Sequence, residues 1–330
     1  MGTKITNVEY YLPEKIVSNE ELSALGLDWD ANKIETKIGI KQRHVVKENE
    51  TALDIAYLAC EKLFEKFDKS KIDFIILCTQ SPDYYLPTSA CILQNRLGLN
   101  TSVGAFDFNL GCSGYVYGLA IAKGLINAGI CKTLLFVTSE TYSKYLNVTD
   151  ISNRSIFGDA ATATIIEYSN EEKIFEFSLG TDGKGKDNLI VEQGGSRNPL
   201  TDKTKPGANV ELLDSKYLYM NGPEIFNFTI EAVPPLINDN LIKNGESIDS
   251  LDFFIFHQAN KYMLDYLRKK SKIPVEKFYS NMLLTGNTVS STIPIALRDS
   301  LDSSIIKVGD KVLLCGFGVG YSWGATIVEI

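Results

Sequence analysis

Two stretches of this chain read alike. Residues 132–168 hold KTLLFVTSE followed by FGDAATATIIEY, and residues 311–330 read KVLLCGFGVGYSWGATIVEI. Each is a lysine-led apolar strand, a glycine-containing turn and a second strand built on A-T-I-[IV]-E. A second pair, KIDFIILCTQ (71–80) and SLDFFIFHQA (250–259), precedes the first in the same order. Self-similarity of this kind predicts two related units, 1–170 and 171–330, packed together. Whatever fold one half adopts, the other must adopt too.

Short apolar runs at 74–80, 133–140, 253–258 and 312–318 have the length of buried strands. Helical patterns fall between them. ETALDIAYLACEKLFEKF (50–67) puts Leu53, Ala56, Tyr57, Cys60, Leu63, Phe64 and Phe67 on one stripe. PEIFNFTIEAVPPLINDNLIKNG (223–245) opens on proline, which a first helical turn accepts. Its Pro234-Pro235 pair predicts a kink or a split. Alternating strands and helices predict an α/β protein of layered sheets. The polar, Gly/Pro-rich interval at 180–209 predicts a surface loop.

Hydrophobic residues at 44% are enough for an ordinary globular core. No apolar run approaches the ~20 residues that span a bilayer, and the N-terminus has no signal-peptide core. Both point to the cytoplasm, with no membrane partner. Six cysteines without a CxxC pair read as free thiols. With only His44 and His257 available, no metal site is expected. A formal net charge of −8 argues against nucleic acid. Two glycine motifs are decoys. GTDGKGKD (180–187) fits G-x-x-x-x-G-K, but Asp187 stands where a phosphate loop needs Ser or Thr, and a strand-like run follows. GFGVG (316–320) leaves too little chain for a dinucleotide-binding unit.

FDFNLGCSGYVYGLAIAKGLINAG (106–129) passes from an apolar strand to a helix apolar on nearly every face, which predicts burial. Gly114, Gly118 and Ala122, at i, i+4 and i+8, predict the close approach of another helix. Cys112 stands at the start of this helix. Free N–H groups and the helix dipole lower a thiol's pKa there, whereas burial raises it. On this motif alone, core cysteine and nucleophile both stay open. His257 ends a buried strand, where α/β proteins place ligands; a core histidine bonded to backbone is the plainer reading. His44 reads as a surface residue. Asn287 follows Gly286, the mark of a tight turn. It is either a helix cap or a neutral N–H donor indifferent to pH.

Together, GCSGYVYGL around Cys112, HQAN at 257–260, GNTVSSTIP at 286–294, GFGVGYSWGA at 316–325, RSIFGDAATA at 154–163 and KIGIKQRH at 37–44 resemble the thiolase superfamily. The resemblance is specifically to the β-ketoacyl-ACP synthase III-like condensing enzymes, and it runs from the first strand to the last residue. It implies a thiolase-like fold of two similar α/β halves in α-β-α-β-α layers with buried central helices. The first half would carry the nucleophile, and the second the histidine and asparagine. The implied reaction is a decarboxylative Claisen condensation. Cys112 takes an acyl group from a thioester, His257 and Asn287 stabilise the enolate left when a malonyl thioester loses carbon dioxide, and the carbanion attacks the acyl-cysteine. The oxyanion hole falls to the backbone N–H groups of Cys112 and Val319. Phe106, Phe108 and Phe157 would keep the site dry. No cofactor is bound permanently; acyl-CoA and acyl-carrier-protein thioesters are substrates, and the protein is a homodimer.

The chain departs from the family's pattern in places. Leu86 occupies the position of a residue that reaches into the partner subunit's acyl pocket, where well-known relatives carry phenylalanine; with Phe157 it would shape that pocket for a different or longer chain. KIETKIGI (33–40) replaces the family's W-I-x-x-R-T-G-I. Lys33 and Lys37 keep charge for CoA phosphates, but the stacking aromatic is missing unless Trp29 substitutes. Tyr262 stands where relatives carry a carrier-docking arginine. Lys261, Arg268, Lys269, Lys270 and Lys272 nevertheless form a basic patch suited to an acidic carrier protein; a plain solvated helix face is the other reading. Three rivals remain: an acyltransferase moving an acyl group to an O or N acceptor, as in surface polysaccharide modification; a cysteine peptidase, for which the local signature is missing; and a non-catalytic partner subunit, which this retained triad disfavours.

Overall fold

The computed structural model describes residues 2–25, 30–200 and 215–330. Trp29 lies outside them. One sheet is built from β1 (Gly2–Tyr11), β2 (Phe74–Cys78), β3 (Gly104–Phe108), β4 (Thr133–Glu140) and β5 (Ala160–Ser169), in the order β1-β5-β4-β2-β3. A second is built from β6 (Ser178–Thr181), β7 (Phe253–Phe256), β8 (Phe278–Tyr279), β9 (Lys311–Gly318) and β10 (Ser322–Glu329), in the order β6-β10-β9-β7-β8. The two sheets correspond strand for strand. In each, the strands from the two sequence repeats pair in parallel (β2 with β4, β7 with β9), and an antiparallel neighbour follows. Even the aspartate of the repeat has one job in both places. Asp73 Oδ2 accepts the backbone N–H of Lys132 at 2.9 Å, and Asp252 Oδ2 accepts that of Lys311 at 2.8 Å. Each carboxylate pins the entry of the next strand.

Six helices of the two halves complete the layers: α1 (Ala52–Phe64), α2 (Ser89–Arg96), α3 (Gly114–Asn127), α4 (Gly222–Asn244), α5 (Lys261–Lys270) and α6 (Thr292–Asp302). α1 and α2 cover the outer face of the first sheet, and α4 and α5 that of the second; α3 and α6 lie between the sheets. This is the expected α-β-α-β-α arrangement. α1 begins with a capping box between Thr51 and Asp54. It buries Leu53, Ala56, Cys60 and Leu63 of the expected stripe, with Tyr57 and Phe64 half-buried at its margin. Each such leucine contributes about 1.5–3 kcal/mol.

Three expectations need correction. The small residues of α3 do not admit a second helix. A Cβ at Gly118 would run into the ring of Phe136 on β4, and one at Gly114 into the Cys78 sulfur on β2. A helix laid across a sheet meets side chains that rise from it, and Phe136 fills the notch while stacking on Tyr115 at 5.3 Å. Nor does Pro234-Pro235 split α4, which runs unbroken through both. Pro234 leaves the carbonyl of Ile230 without its helical donor, and Lys270 Nζ donates to that oxygen at 2.9 Å. His44 is half-buried in a hairpin, with Nδ1 2.6 Å from the Pro13 carbonyl.

The glycine decoy at 180–187 ends β6 in a short 3-10 turn, with no helix after it. Of the interval 180–209, residues 201–214 lie outside the described residues; within the rest, Leu189–Ile190 pairs with Tyr219–Met220. All six cysteines are free thiols. Among the described residues, no helix is long and apolar enough to cross a membrane, and no cluster of His, Cys, Asp and Glu could hold a metal ion.

Candidate active site

The turn from β3 into α3 presents Cys112 one residue ahead of the helix's N-cap. That cap is Ser113, yet its hydroxyl does not cap; it faces the Ser322 hydroxyl at 2.6 Å. The first turn of α3 therefore keeps its N–H groups free of side-chain acceptors, at the positive end of the dipole. The last residues of β9 close over the thiol. A Cβ at Gly318 would stand 2.7 Å from the Cys112 Cβ and 2.9 Å from its Sγ, so only glycine lets the strand come this near. The N–H groups of Cys112 and of Val319, just past β9, both face the sulfur. Among the described residues, positive φ outside glycine occurs only at Lys272, Val289 and Ser304, so Val319 needs no glycine to present its amide.

His257 and Asn287 face each other from two other parts of the chain. β7 ends at Phe256, and His257 donates its backbone N–H to the Cys315 carbonyl of β9 at 2.8 Å. That bond sets the ring beside the residues that meet Cys112. Asn287 sits in the turn before α6, after Gly286 with φ +73°. Its backbone is tied to both sides of Phe157, donating to Ile156 O at 2.9 Å and accepting from Gly158 N at 3.0 Å. Its Oδ1 accepts the Val289 N–H at 2.9 Å, as a cap would. That bond fixes which way the amide points, and leaves Nδ2 3.5 Å from His257 Nε2.

Burial governs the charges. It pushes the Cys112 thiol up to about 12, with the Glu140 carboxylate acting in the same direction and the N–H groups of Cys112 and Val319 against it. Burial and Glu140 together outweigh the two N–H groups in setting the acidity of this thiol. Burial also pushes His257 down to about 3, so its ring is neutral at ordinary pH. Glu140 was not legible as a site residue. It ends β4, is fully buried and is pushed up to about 8 by that burial. It accepts from Gln80 N at 3.0 Å, Ser81 Oγ at 3.2 Å and Ser290 Oγ at 3.0 Å, joining the end of β2 to the turn that carries Asn287.

The remaining expected residues fall in three places. Phe157 is buried beside Asn287 and packs on Tyr142 at 5.3 Å, in one cluster with Cys112. Phe106 and Phe108 share one face of β3, the face toward α3, where they pack on Phe74 and Phe136 in the cluster that holds Tyr115 and Leu119. Phe317, missed in the sequence, supplies the aromatic edge against the His257 ring at 5.6 Å. Leu86, 82% exposed, lines a cavity of about 1120 Å³ together with Tyr85, Tyr142, Leu189 and Val319. Lys33 and Lys37 are exposed on the short helix Ala31–Ile38, which packs against α5. On α5 itself, Lys261 pairs with Asp265, the half-buried Arg268 donates to Ile273 O beyond the helix end, and Lys270 is held by α4. Among the described residues, the side-chain ammonium groups of Lys269 and Lys272 make no hydrogen bond or ion pair.

Comparison with known proteins agrees with this geometry. Residues 106–183 match the family model "3-Oxoacyl-[acyl-carrier-protein (ACP)] synthase III", and residues 241–330 match the model of that family's C-terminal part. The chain is similar to the β-ketoacyl-[acyl-carrier-protein] synthase III of Streptococcus agalactiae (strain NEM316), at 38% identity over 99% of both chains. It is similar to that of Clostridioides difficile (strain 630) at 37% identity, over 100% of this chain and 99% of the other. Among solved structures, a 3-oxoacyl-(acyl-carrier-protein) synthase III superposes with a TM-score of 0.95 at 45% identity, covering both chains fully. A 3-oxoacyl-(acyl-carrier protein) synthase from Burkholderia xenovorans LB400 follows with a TM-score of 0.90 at 35% identity, over 100% of this chain and 94% of that one.

Proposed function

The chain belongs to the 3-oxoacyl-[acyl-carrier-protein] synthase III family, and we propose that it carries out that family's decarboxylative condensation with Cys112 as nucleophile and His257 and Asn287 as donors. In the first half-reaction the Cys112 sulfur attacks the carbonyl of an acyl thioester. The oxyanion forms between the N–H groups of Cys112 and Val319, the donor's C–S bond breaks, and the proton of Cys112 ends on the departing thiol. In the second, a malonyl thioester on a carrier protein loses carbon dioxide. The enolate oxygen lies between His257 and Asn287, and the carbon attacks the acyl-cysteine carbonyl and expels its sulfur, which takes up a proton from solvent to return to the thiol. Each preorganised donor is worth ~2.7–4 kcal/mol. The half comprising 1–170 supplies the nucleophile and 171–330 the donor pair.

The observation that carries this reading is the pairing of two backbone N–H groups at one thiol with a neutral imidazole and an oriented carboxamide, all buried. Neutral donors suit an enolate because they stabilise its oxygen without giving a proton to its carbon. The test separates the half-reactions. Asn287→Ala should release carbon dioxide from malonyl-carrier about 10²–10³-fold more slowly while Cys112 still takes up an acyl group. Acyl transfer to an alcohol or amine with no carbon dioxide released would establish the O/N-acyltransferase reading instead.

The partners follow from the surface. The exposed Tyr84, Tyr85 and Leu86 beside the cavity support a homodimer in which Leu86 enters the partner's acyl pocket. Sedimentation of Leu86→Asp as a monomer would support it, and an unchanged dimer would not. The free ammonium groups of Lys269 and Lys272 support carrier docking on α5. Lys33 and Lys37, on the adjoining helix, are placed to meet CoA phosphates.

A further inference from the structure

The cavity that Leu86 lines begins at the nucleophile. Val319 lines it too, and aims its N–H at the Cys112 sulfur. Gly111, the residue before Cys112, is closed in by two side chains. A Cβ there would stand 2.6 Å from Gln80 Oε1 and 2.9 Å from Val319 Cγ1. An acyl group on Cys112 has its carbonyl oxygen at the Val319 N–H. The carbons that follow enter the cavity past Val319 on one side and Gln80 on the other.

Gln80 is the polar one of the pair, and it is held firmly. Its backbone N–H donates to Glu140 at 3.0 Å, and its backbone carbonyl accepts from Tyr145 Oη at 2.8 Å. Its Oε1 accepts from the Tyr142 hydroxyl, and its Nε2 donates to Asn109 Oδ1 at 3.0 Å. Tyr142 is buried, and burial pushes its phenol up, with Glu140 and Cys112 acting in the same direction. The phenol therefore keeps its proton, and Gln80 receives it.

These bonds leave capacity unused. Gln80 retains one side-chain N–H and one lone pair on Oε1, and Asn109 retains both N–H groups of Nδ2. None of them meets a partner among the described residues. Gln80, Asn109 and Tyr142 all line the cavity. A plain alkyl chain laid against this wall displaces its water and returns no hydrogen bond, which costs free energy. A chain that carries a hydroxyl returns both a donor and an acceptor.

We propose that Gln80, oriented by Tyr142 and Asn109, is a specificity-determining residue that selects an acyl group with a hydroxyl on its third carbon for loading onto Cys112. This rests on the function proposed above and names the substrate class of its first half-reaction. The bonds made and broken are those of that half-reaction, and the substrate hydroxyl takes no part in them.

The test is a competition between butyryl-CoA and (R)- or (S)-3-hydroxybutyryl-CoA, which differ by one oxygen, with loading of Cys112 read by intact mass. The wild type should load one hydroxybutyryl enantiomer about tenfold faster than butyryl. Gln80→Met keeps the length of the side chain and removes the amide; it should bring that ratio below about twofold. Tyr142→Phe, which removes only the hydroxyl that orients Gln80, should lower the ratio as well. A wild type that loads butyryl as fast as both hydroxybutyryl thioesters, or faster, overturns the inference while leaving the proposed function standing, whether or not either variant folds. A folded Gln80→Met protein that keeps the tenfold preference also overturns it. If no thioester adds mass at Cys112, the proposed function falls and this inference with it.

Discussion

Replacing Gly318 by alanine sets a methyl group where the Cys112 side chain already lies. Its Cβ would stand 2.7 Å from the Cys112 Cβ and 2.9 Å from the Sγ. With ~3.5 Å as the nearest comfortable contact, the thiol or the end of β9 must give by roughly 0.6–0.8 Å. Misplacing a reacting group by about 1 Å costs on the order of 10²-fold in rate. Overpacking a closed site costs ~1–3 kcal/mol of stability. For 330 residues, an unfolding entropy of ~2.1 cal/mol/K per residue converts that to roughly 1.5–4 °C in Tm. Gly318→Ala should therefore lose about two orders of magnitude in the rate at which an acyl-CoA adds mass to Cys112, with a small calorimetric shift. Gly124→Ala is the control, because a Cβ there meets nothing within 4 Å in the interior of α3. It should gain up to ~1 kcal/mol and acylate as the wild type does. A Gly318→Ala protein that acylates within twofold of the wild type would refute the claim that β9 positions the thiol.

Other perturbations probe the surrounding structure. The folded pKa of Glu140, about 8, lies above its unfolded value, so its contribution to stability is full below that unfolded value and lost as pH rises toward 8. Glu140→Gln should flatten the fall of Tm between pH 6 and 8, above the range where Asp159, pushed up to about 6 by burial, titrates; a slope as steep as the wild type's contradicts this. Lys270→Met should destabilise by about 1 kcal/mol through the orphaned Ile230 carbonyl. The same change should cost nothing in a Pro234→Ala background, where the helix supplies its own donor; equal losses in both backgrounds would remove that explanation. Lys269→Glu with Lys272→Glu should raise the carrier-protein KM, more at low salt than at high, and a salt-independent KM would move docking elsewhere.

The layout of the fold was legible because the repeat is legible: Asp73 and Asp252, each two residues into its segment, recur with the strands they pin. Cys112, His257 and Asn287 were legible because each sits at the end of an element beside glycine or a strand terminus. What was not legible depends on distant parts of the chain. Glycine spacing in α3 shows what the helix lacks, not that a ring from β4 fills the space. The prolines of α4 announce two missing donors, but the lysine that replaces one comes from another helix. The helix tip at Cys112 is a local feature that raises acidity, whereas the burial that opposes it belongs to both sheets at once. Glu140 is a polar residue at a strand end, and no charged partner or spacing marks it.

The most direct measurement follows the mass of the intact chain through one turnover. Incubation with a panel of acetyl, branched and medium-chain acyl-CoA and acyl-carrier thioesters should add a single acyl group, mapped to the peptide containing Cys112 and absent in Cys112→Ala. Adding malonyl-carrier should then return the chain to its original mass, with one carbon dioxide released per acyl group lost. An acyl group that maps to another residue, or one that leaves Cys112 without carbon dioxide, would contradict the assignment of this site to carbon–carbon bond formation.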